Sequence, residues 1–332
     1  MNSTEEEFLR NNGMTIMKTI AKGSYGIVYY AYHQLYKSYF ALKKIPEYLF
    51  NESEVNCLIA FDDPYKVNLY KYYKFEKSVY LLMEYCPCDL TAIVNTKTQM
   101  PKEVMVKYVK DVIMAVKACH DRNIAHCDIK PSNFLVDQYG RIKITDFGLS
   151  NIYKENEKSN VFLGTKIFMA PEILNKVEFN PFISDIWALG VTIYYLATKH
   201  YPFLSDYDEL LNHNIVNAIY KSDDIEDEQL RDVVKRCLER NTALRATLDD
   251  LLKMPYFAQI QTTKSLKSIP NMLSATHIPP SVSLGVMKIA AFKTPPAIMK
   301  PKIVTKSLSS MINRHMIQPR AKMQGTFDNS TI

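Results

Sequence analysis

Metal-ligand and disulfide spacings are missing from the cysteines of this 332-residue chain. Cys57, Cys86, Cys88, Cys119, Cys127 and Cys237 are scattered. That pattern implies reduced thiols in an intracellular protein, cytoplasmic or nuclear. Long apolar runs are also missing. The longest, Ile186 to Ala197, is too short for a comfortable membrane span and is expected to be a buried helix. The first seven residues, Met1 to Glu7, are acidic and have no basic start followed by an apolar stretch, so no signal peptide is expected. Internal repeats are absent. No basic stretch is interleaved with aromatic residues, which argues against nucleic acid as the partner.

What is present points to a globular body with an appendage. Apolar residues make up 47% of the chain, enough for a large core. The net charge of +6 hides an asymmetry: residues 258–332 carry +9, and the rest carries −3. That basic stretch is rich in proline, serine and threonine and lacks a periodic apolar pattern. It is expected to be a flexible tail. The alternatives are a docking or autoinhibitory segment, or a weak electrostatic contact with nucleic acid or an anionic membrane. Within it, Leu284–Phe292 and Leu308–Ile317 could form short recognition helices, including for a calmodulin-like partner, and Thr294-Pro295 has the form of a proline-directed phosphosite.

Five segments rich in β-branched and aromatic residues predict strands: Met14–Ile20, Gly26–Tyr32, Tyr39–Ile45, Val67–Phe75 and Val79–Glu84. A helical segment, Glu52 to Phe61, interrupts them. After Pro87 the spacing turns helical. Pro101 is placed at the first helical position of a helix with apolar residues at Val104, Tyr108, Val112, Ala115 and Cys119. Ser184–Thr198 and Glu228–Glu239 are further helices. The expected fold is α+β: a small β-rich lobe with one helix, then a larger, mainly helical lobe. The expected division is an N-terminal extension 1–13, a catalytic domain 14–257 (lobes 14–86 and 87–257) and the tail 258–332.

Gly23 and Gly26 lie between two strand patterns, where bare backbone N–H groups could meet phosphate oxygens. Alone, two such glycines read as a turn, and Lys43 at the end of an apolar strand reads as a surface lysine. Downstream, His126-Cys-Asp128-Ile-Lys130-Pro-Ser-Asn133 is followed thirteen residues past Asn133 by Asp146-Phe-Gly148. Phosphoryl transfer needs this set: a carboxylate to take a hydroxyl proton, a cation for the transferred phosphate, and oxygen ligands for Mg²⁺. Two unrelated polar turns would explain either piece, but not both in this order behind the glycines and the lysine.

Together these motifs resemble the eukaryotic protein kinase family, serine/threonine type, over about Met14 to Phe257, and they continue with Ala170-Pro-Glu172, Asp185 and Arg245. The resemblance implies ATP and Mg²⁺ as cofactors and protein substrates. It implies that Ala21, Gly23 and Gly26 cover the phosphates, and that Val28, Ala41 and Leu135 sandwich the adenine. Met83 would guard the pocket, and the backbones of Glu84 and Cys86 would bond the adenine edge. Lys43 would hold the α- and β-phosphates with Glu54 as its partner, Glu52 being the alternative. Glu54 is preferred because Leu58 then stacks inward with Leu69, His126 and Phe147. Asp128 would be the catalytic base, Lys130 the γ-phosphate contact, and Asn133 and Asp146 the metal ligands. Lys130 and Thr165 resemble serine/threonine rather than tyrosine kinases. Glu172 with Arg245, and Asp185 beneath the catalytic loop, would be structural. The activation segment and central helix look closest to calcium/calmodulin-dependent and checkpoint-type kinases, or to NIMA-like ones, which implies signalling or cell-cycle work.

Three departures qualify the resemblance. Ala21 replaces the first loop glycine. The segment between Lys43 and Glu54 is short. Cys127 stands where the family has an arginine that binds an activation-loop phosphate, and the usual phosphorylated position falls on Val161. A thiol has neither the charge nor the fork geometry for that task. Activity without activation-loop phosphorylation is therefore expected, with Ser159 as the main challenge to it. A pseudokinase scaffold, binding nucleotide or partners without catalysis, is the rival reading. Asp89, Ser132 and Tyr195 occupy the positions where basic-directed kinases keep acids, so a strong arginine requirement is not expected.

Overall fold

The computed structural model describes residues 3–23, 26–60, 62–96, 100–154 and 157–262. Ser24 and Tyr25, at the tip of the loop expected to cover phosphates, and the tail beyond residue 262 with its candidate helices and phosphosite lie outside the described residues.

Strands β1 (Met14–Gly23), β2 (Gly26–His33), β3 (Ser38–Pro46), β4 (Leu69–Phe75) and β5 (Ser78–Met83) form one antiparallel sheet in the order β1-β2-β3-β5-β4. Alternation along these strands sends Val28, Ala41 and Lys43 to one face and Tyr29, Phe40, Leu42 and Tyr80 to the other, as period-two geometry requires. Gly26 has φ +146°, and a Cβ there would lie 2.1 Å from the Lys44 carbonyl oxygen, so only glycine lets β2 run this close to β3. A single 3₁₀ turn, Glu47–Leu49, leads into the helix expected at Glu52, whose entrance is indeed brief. Asn51 caps that helix by accepting the Ser53 N–H, and Glu54, Val55, Cys57 and Leu58 form its buried side.

The extension before Met14, to which the sequence pattern assigned no structure, holds helix α1 (Ser3–Asn11). The helix at Glu52–Ile59 is therefore α2. Leu9 of α1 is buried with Met14, Tyr29, Phe40, Leu42 and Tyr80 in a cluster on the sheet face opposite Lys43.

Three short strands form a second sheet: β6 (Cys88–Asp89) pairs with β8 (Phe134–Val136), which pairs with β9 (Ile142–Ile144). β7 (Ile124–Ala125) pairs with β10 (Asn151–Ile152). The helical lobe is built from α3 (Leu90–Val94), α4 (Lys102–His120), α5 (Pro171–Leu174), α6 (Pro181–Thr198), α7 (Asp208–Val216), α8 (Glu228–Cys237) and α9 (Leu248–Leu252). Pro101 is a correction. It is the N-cap of α4 rather than its first helical residue, because its ψ of 147° is still extended. α6 is the apolar run singled out in the sequence. Asn180 caps it, Pro181 starts it, and it ends at Lys199 in left-handed backbone with φ +63°. Trp187 on α6 is fully buried and stacks on Phe203 at 5.7 Å. Each such fully buried side chain contributes about 1.5–3 kcal/mol of apolar transfer. No helix among the described residues is long and apolar enough to cross a membrane.

Candidate active site

The cleft between sheet and helical lobe gathers the charged residues named in the sequence. The Lys43 ammonium donates to Glu54 Oε1 at 2.7 Å and to Asp146 Oδ1 at 2.8 Å. Glu52 takes no part in this: it points outward, 3.7 Å from Lys74. Burial alone would push the Lys43 ammonium down, but the Glu54 and Asp146 carboxylates outweigh it and hold its pKa above the ordinary lysine value. Burial likewise pushes the Asp146 carboxyl up, and Lys43 more than reverses that, leaving it below the usual aspartate value. For Glu54 burial prevails over Lys43, and the carboxyl is raised. Asp146 itself has left-handed backbone, φ +64°. His126 packs its ring on Phe147 at 5.0 Å, with Leu58 buried in the same core.

The loop from Asp128 to Asn133 forms a second knot. Lys130 Nζ donates to Asp128 Oδ2 at 2.6 Å, and Thr165 Oγ1 donates to Asp128 Oδ1 at 3.3 Å. Asn133 donates its amide to the Asp128 carbonyl at 2.8 Å and to Oδ2 at 3.1 Å. With its nitrogen so committed, Asn133 has its amide oxygen left to offer a cation, and Asp146 has its second carboxylate oxygen. Hard oxygen donors of this kind suit Mg²⁺.

Asp185 supports the loop from α6. Its two carboxylate oxygens accept the backbone N–H groups of His126 (2.8 Å) and Cys127 (2.9 Å), and its Oδ2 also meets His120 Nε2 at 3.0 Å. Cys127 sits at φ +62°, a strained conformation for a residue with a Cβ. Glu172 and Arg245 form a buried two-point pair at 2.7 and 3.1 Å, joined by Ser184 at 2.7 Å. Met83 ends β5, Glu84 and Cys86 follow it in the connection between lobes, and Val28, Ala41 and Leu135 are half-buried. Ala21 and Gly23 end β1 and are exposed.

Sequence reasoning missed two buried lysines. Lys66 donates to the Leu58 carbonyl at 2.9 Å, in the last turn of α2, and Lys143 lies 3.0 Å from Glu84 beneath the hinge. A lysine in an apolar stretch reads as a snorkelling surface residue, so nothing local marks either one. Asp89 spends its carboxylate capping α3 at Ala92 N–H, and Tyr195 bonds Asn95.

Comparison with known proteins agrees with this geometry. The protein kinase domain family matches residues 14–257. Sperm motility kinase 3A of Mus musculus is 30% identical over 249 residues, covering 74% of this chain and 49% of that protein. Sperm motility kinase 2B of Mus musculus is 31% identical over 249 residues, covering 74% and 51%. The carbon catabolite-derepressing protein kinase of Saccharomyces cerevisiae is 28% identical over 251 residues, covering 73% and 40%. The chain spans about half the length of the curated relatives it matches. A β-rich lobe, a helical lobe, the cleft between them and the matched span carry one conclusion: the chain belongs to the protein kinase family.

Proposed function

We propose that the chain is an active kinase that transfers the γ-phosphate of ATP to serine and threonine in protein substrates, and that it does so without activation-loop phosphorylation. One observation carries the reading: Lys43 is held between Glu54 and Asp146 while Lys130 and Thr165 both converge on Asp128. In this reading Lys43 holds the α- and β-phosphates, and Asp128 takes the proton of the attacking hydroxyl. Lys130 then faces the transferred phosphate, and Thr165 keeps Asp128 aimed. Asn133 and Asp146 would hold Mg²⁺, which when bound supplies charge neutralisation for the triphosphate. The backbones of Glu84 and Cys86 would receive the adenine between Val28, Ala41 and Leu135, under Met83. Regulation or docking through the basic tail belongs to the same proposal.

Phosphorylation independence finds support around Cys127. A pocket under the activation segment is lined by Cys127, Tyr153, Val161, Phe179, Asp128 and Asp185 among others, and its described lining contains no lysine or arginine. A phosphate there would meet two carboxylates. Ser159 is buried, exchanges both backbone hydrogen bonds with Phe179 at 2.8 and 3.0 Å, and accepts the Val161 N–H. The Tyr153 ring lines the same pocket as Cys127. The segment is thus fastened by neutral groups where the family's arginine would otherwise wait for a phosphate.

The test is γ-phosphate transfer to casein or a basic generic substrate, with Asp128→Asn as control. Mg²⁺-dependent labelling of serine and threonine is expected, reduced by about a thousandfold in the variant. No transfer, or equal transfer by the variant, would favour the non-catalytic scaffold. Phosphatase treatment and Ser159→Ala should each leave activity standing. Loss of activity in both would remove the claim of independence.

A further inference from the structure

We propose that helix α1 is a working part of the nucleotide lobe, and that its Glu5 is a positioning residue for the strand that carries Lys43. The proposal rests on the nucleotide-binding reading above and adds to it a segment that the family match, which begins at residue 14, does not include.

The helix presents Glu5, Phe8 and Leu9 on one side, at the three- and four-residue spacings that share a helical face. Leu9 enters the apolar cluster of the outer sheet face, and Phe8 stacks on Phe75 of β4 with ring centroids 4.2 Å apart. These contacts fix the helix where Glu5 can reach the middle of the sheet. Its Oε1 accepts from Lys44 Nζ at 2.7 Å and from Tyr80 Oη at 2.7 Å. Lys44 and Tyr80 are direct partners across β3 and β5, and the next rung is Lys43 opposite Leu81. A single carboxylate oxygen therefore ties both halves of the rung beside the cleft lysine, from the opposite face of the sheet.

The same rung touches the phosphate loop, since the Lys44 carbonyl is the atom against which Gly26 packs. A shift of Lys44 would thus be felt both at Lys43 and at the base of the loop. The Glu5 carboxylate is almost wholly buried, and the Lys44 side chain is a quarter exposed, so solvent screens this contact less than a surface pair. Burial pushes the Glu5 carboxyl up, but the bonds from Lys44 and Tyr80 outweigh that and keep it charged.

The experiment uses the full chain and two readouts: the Kd of a fluorescent ATP analogue with Mg²⁺, and amide hydrogen exchange in β3. Glu5→Gln and Lys44→Met should each weaken binding about fivefold and speed exchange at residues 41–45, and the double variant should be no worse than the poorer single. Glu7→Gln, the same charge change at an exposed position of α1, should match wild type in both readouts. Leu9→Ala, which loosens the helix and leaves the charges, should act in the same direction as Glu5→Gln. The KM for ATP should rise while kcat with a saturating peptide substrate holds. A wild-type chain that binds nucleotide beside variants with unchanged Kd and unchanged β3 exchange overturns the clamp alone. So do single effects that multiply in the double variant. A wild-type chain that binds no nucleotide overturns the nucleotide reading and the clamp's role with it.

Discussion

Replacing Asp185 with asparagine isolates how the catalytic loop is held in place. Asp185 is buried and accepts two backbone N–H groups, at 2.8 and 2.9 Å, one of them from the left-handed Cys127. Asparagine keeps one oxygen and turns an NH₂ group toward the other N–H. One charge-assisted bond is lost, worth about 1.5–3 kcal/mol, and a buried donor is left facing a donor, at about 1–3 kcal/mol more. The sum, about 2.5–6 kcal/mol, outweighs over most of its range the strain of about 1–3 kcal/mol expected of a residue in the Cys127 conformation, so the loop should relax. Relaxation moves Asp128, one residue on, and a displacement near 1 Å costs on the order of a hundredfold in rate. Lys43, Glu54 and Asp146 sit apart from this contact, so the KM for ATP should change less than about threefold. Urea unfolding and steady-state kinetics on the same preparation check both numbers. An Asp185→Asn chain within about 0.5 kcal/mol of wild type, with kcat intact, would refute the idea that this carboxylate holds the loop.

Other perturbations follow from the same geometry. A Cβ at Gly190 would lie 2.5 Å from Cys237 Cβ and 3.0 Å from Leu238, so Gly190→Ala should prise α6 from α8 and cost about 1–3 kcal/mol in denaturant unfolding. Arg245→Ala leaves Glu172 buried without its two-point partner, and the chain should lose about 3–5 kcal/mol of stability, read as a lowered Tm. Glu5 has a folded pKa below its ordinary 4.5, so its contribution is fully present above that value and is lost as pH falls through the folded one. The Tm gap between wild type and Glu5→Gln should therefore be widest near neutrality and close on acidification, and a gap independent of pH would contradict the assignment.

Much of the fold could be read from the chain because its signals are local. Enrichment in β-branched and aromatic residues marked β1 to β5, and the turn to helical spacing after Pro87 marked α4, α6 and α8, to within a few residues. The residues now found around the cleft were legible for another reason: Asp128, Lys130, Asn133 and Asp146 lie close together in sequence, and their side-chain types match one chemistry. Helix α1 escaped because its buried side consists of one acid and two apolar residues among exposed acids, a pattern that a solvated terminus shares. Lys66 and Lys143 escaped because their partners, the Leu58 carbonyl and Glu84, are brought to them only by tertiary folding. The position of Pro101 shifted by one residue because proline suits both an N-cap and a first-turn site.

The lysines beneath the hinge have a consequence for Glu84. Lys143 Nζ donates to the Lys66 carbonyl at 3.3 Å, and Glu84 is its counter-ion at 3.0 Å while also accepting the Asn68 N–H; the Lys66 ammonium, lowered in pKa first by burial, also feels the charges of Lys143 and Glu84. The Glu84 side chain is thereby occupied, which leaves the backbone of residue 84 as what the proposed nucleotide reading draws on. The acidic side chain there answers to the cations below it, and a search for tolerated hinge substitutions should treat positions 66, 84 and 143 as one electrostatic unit.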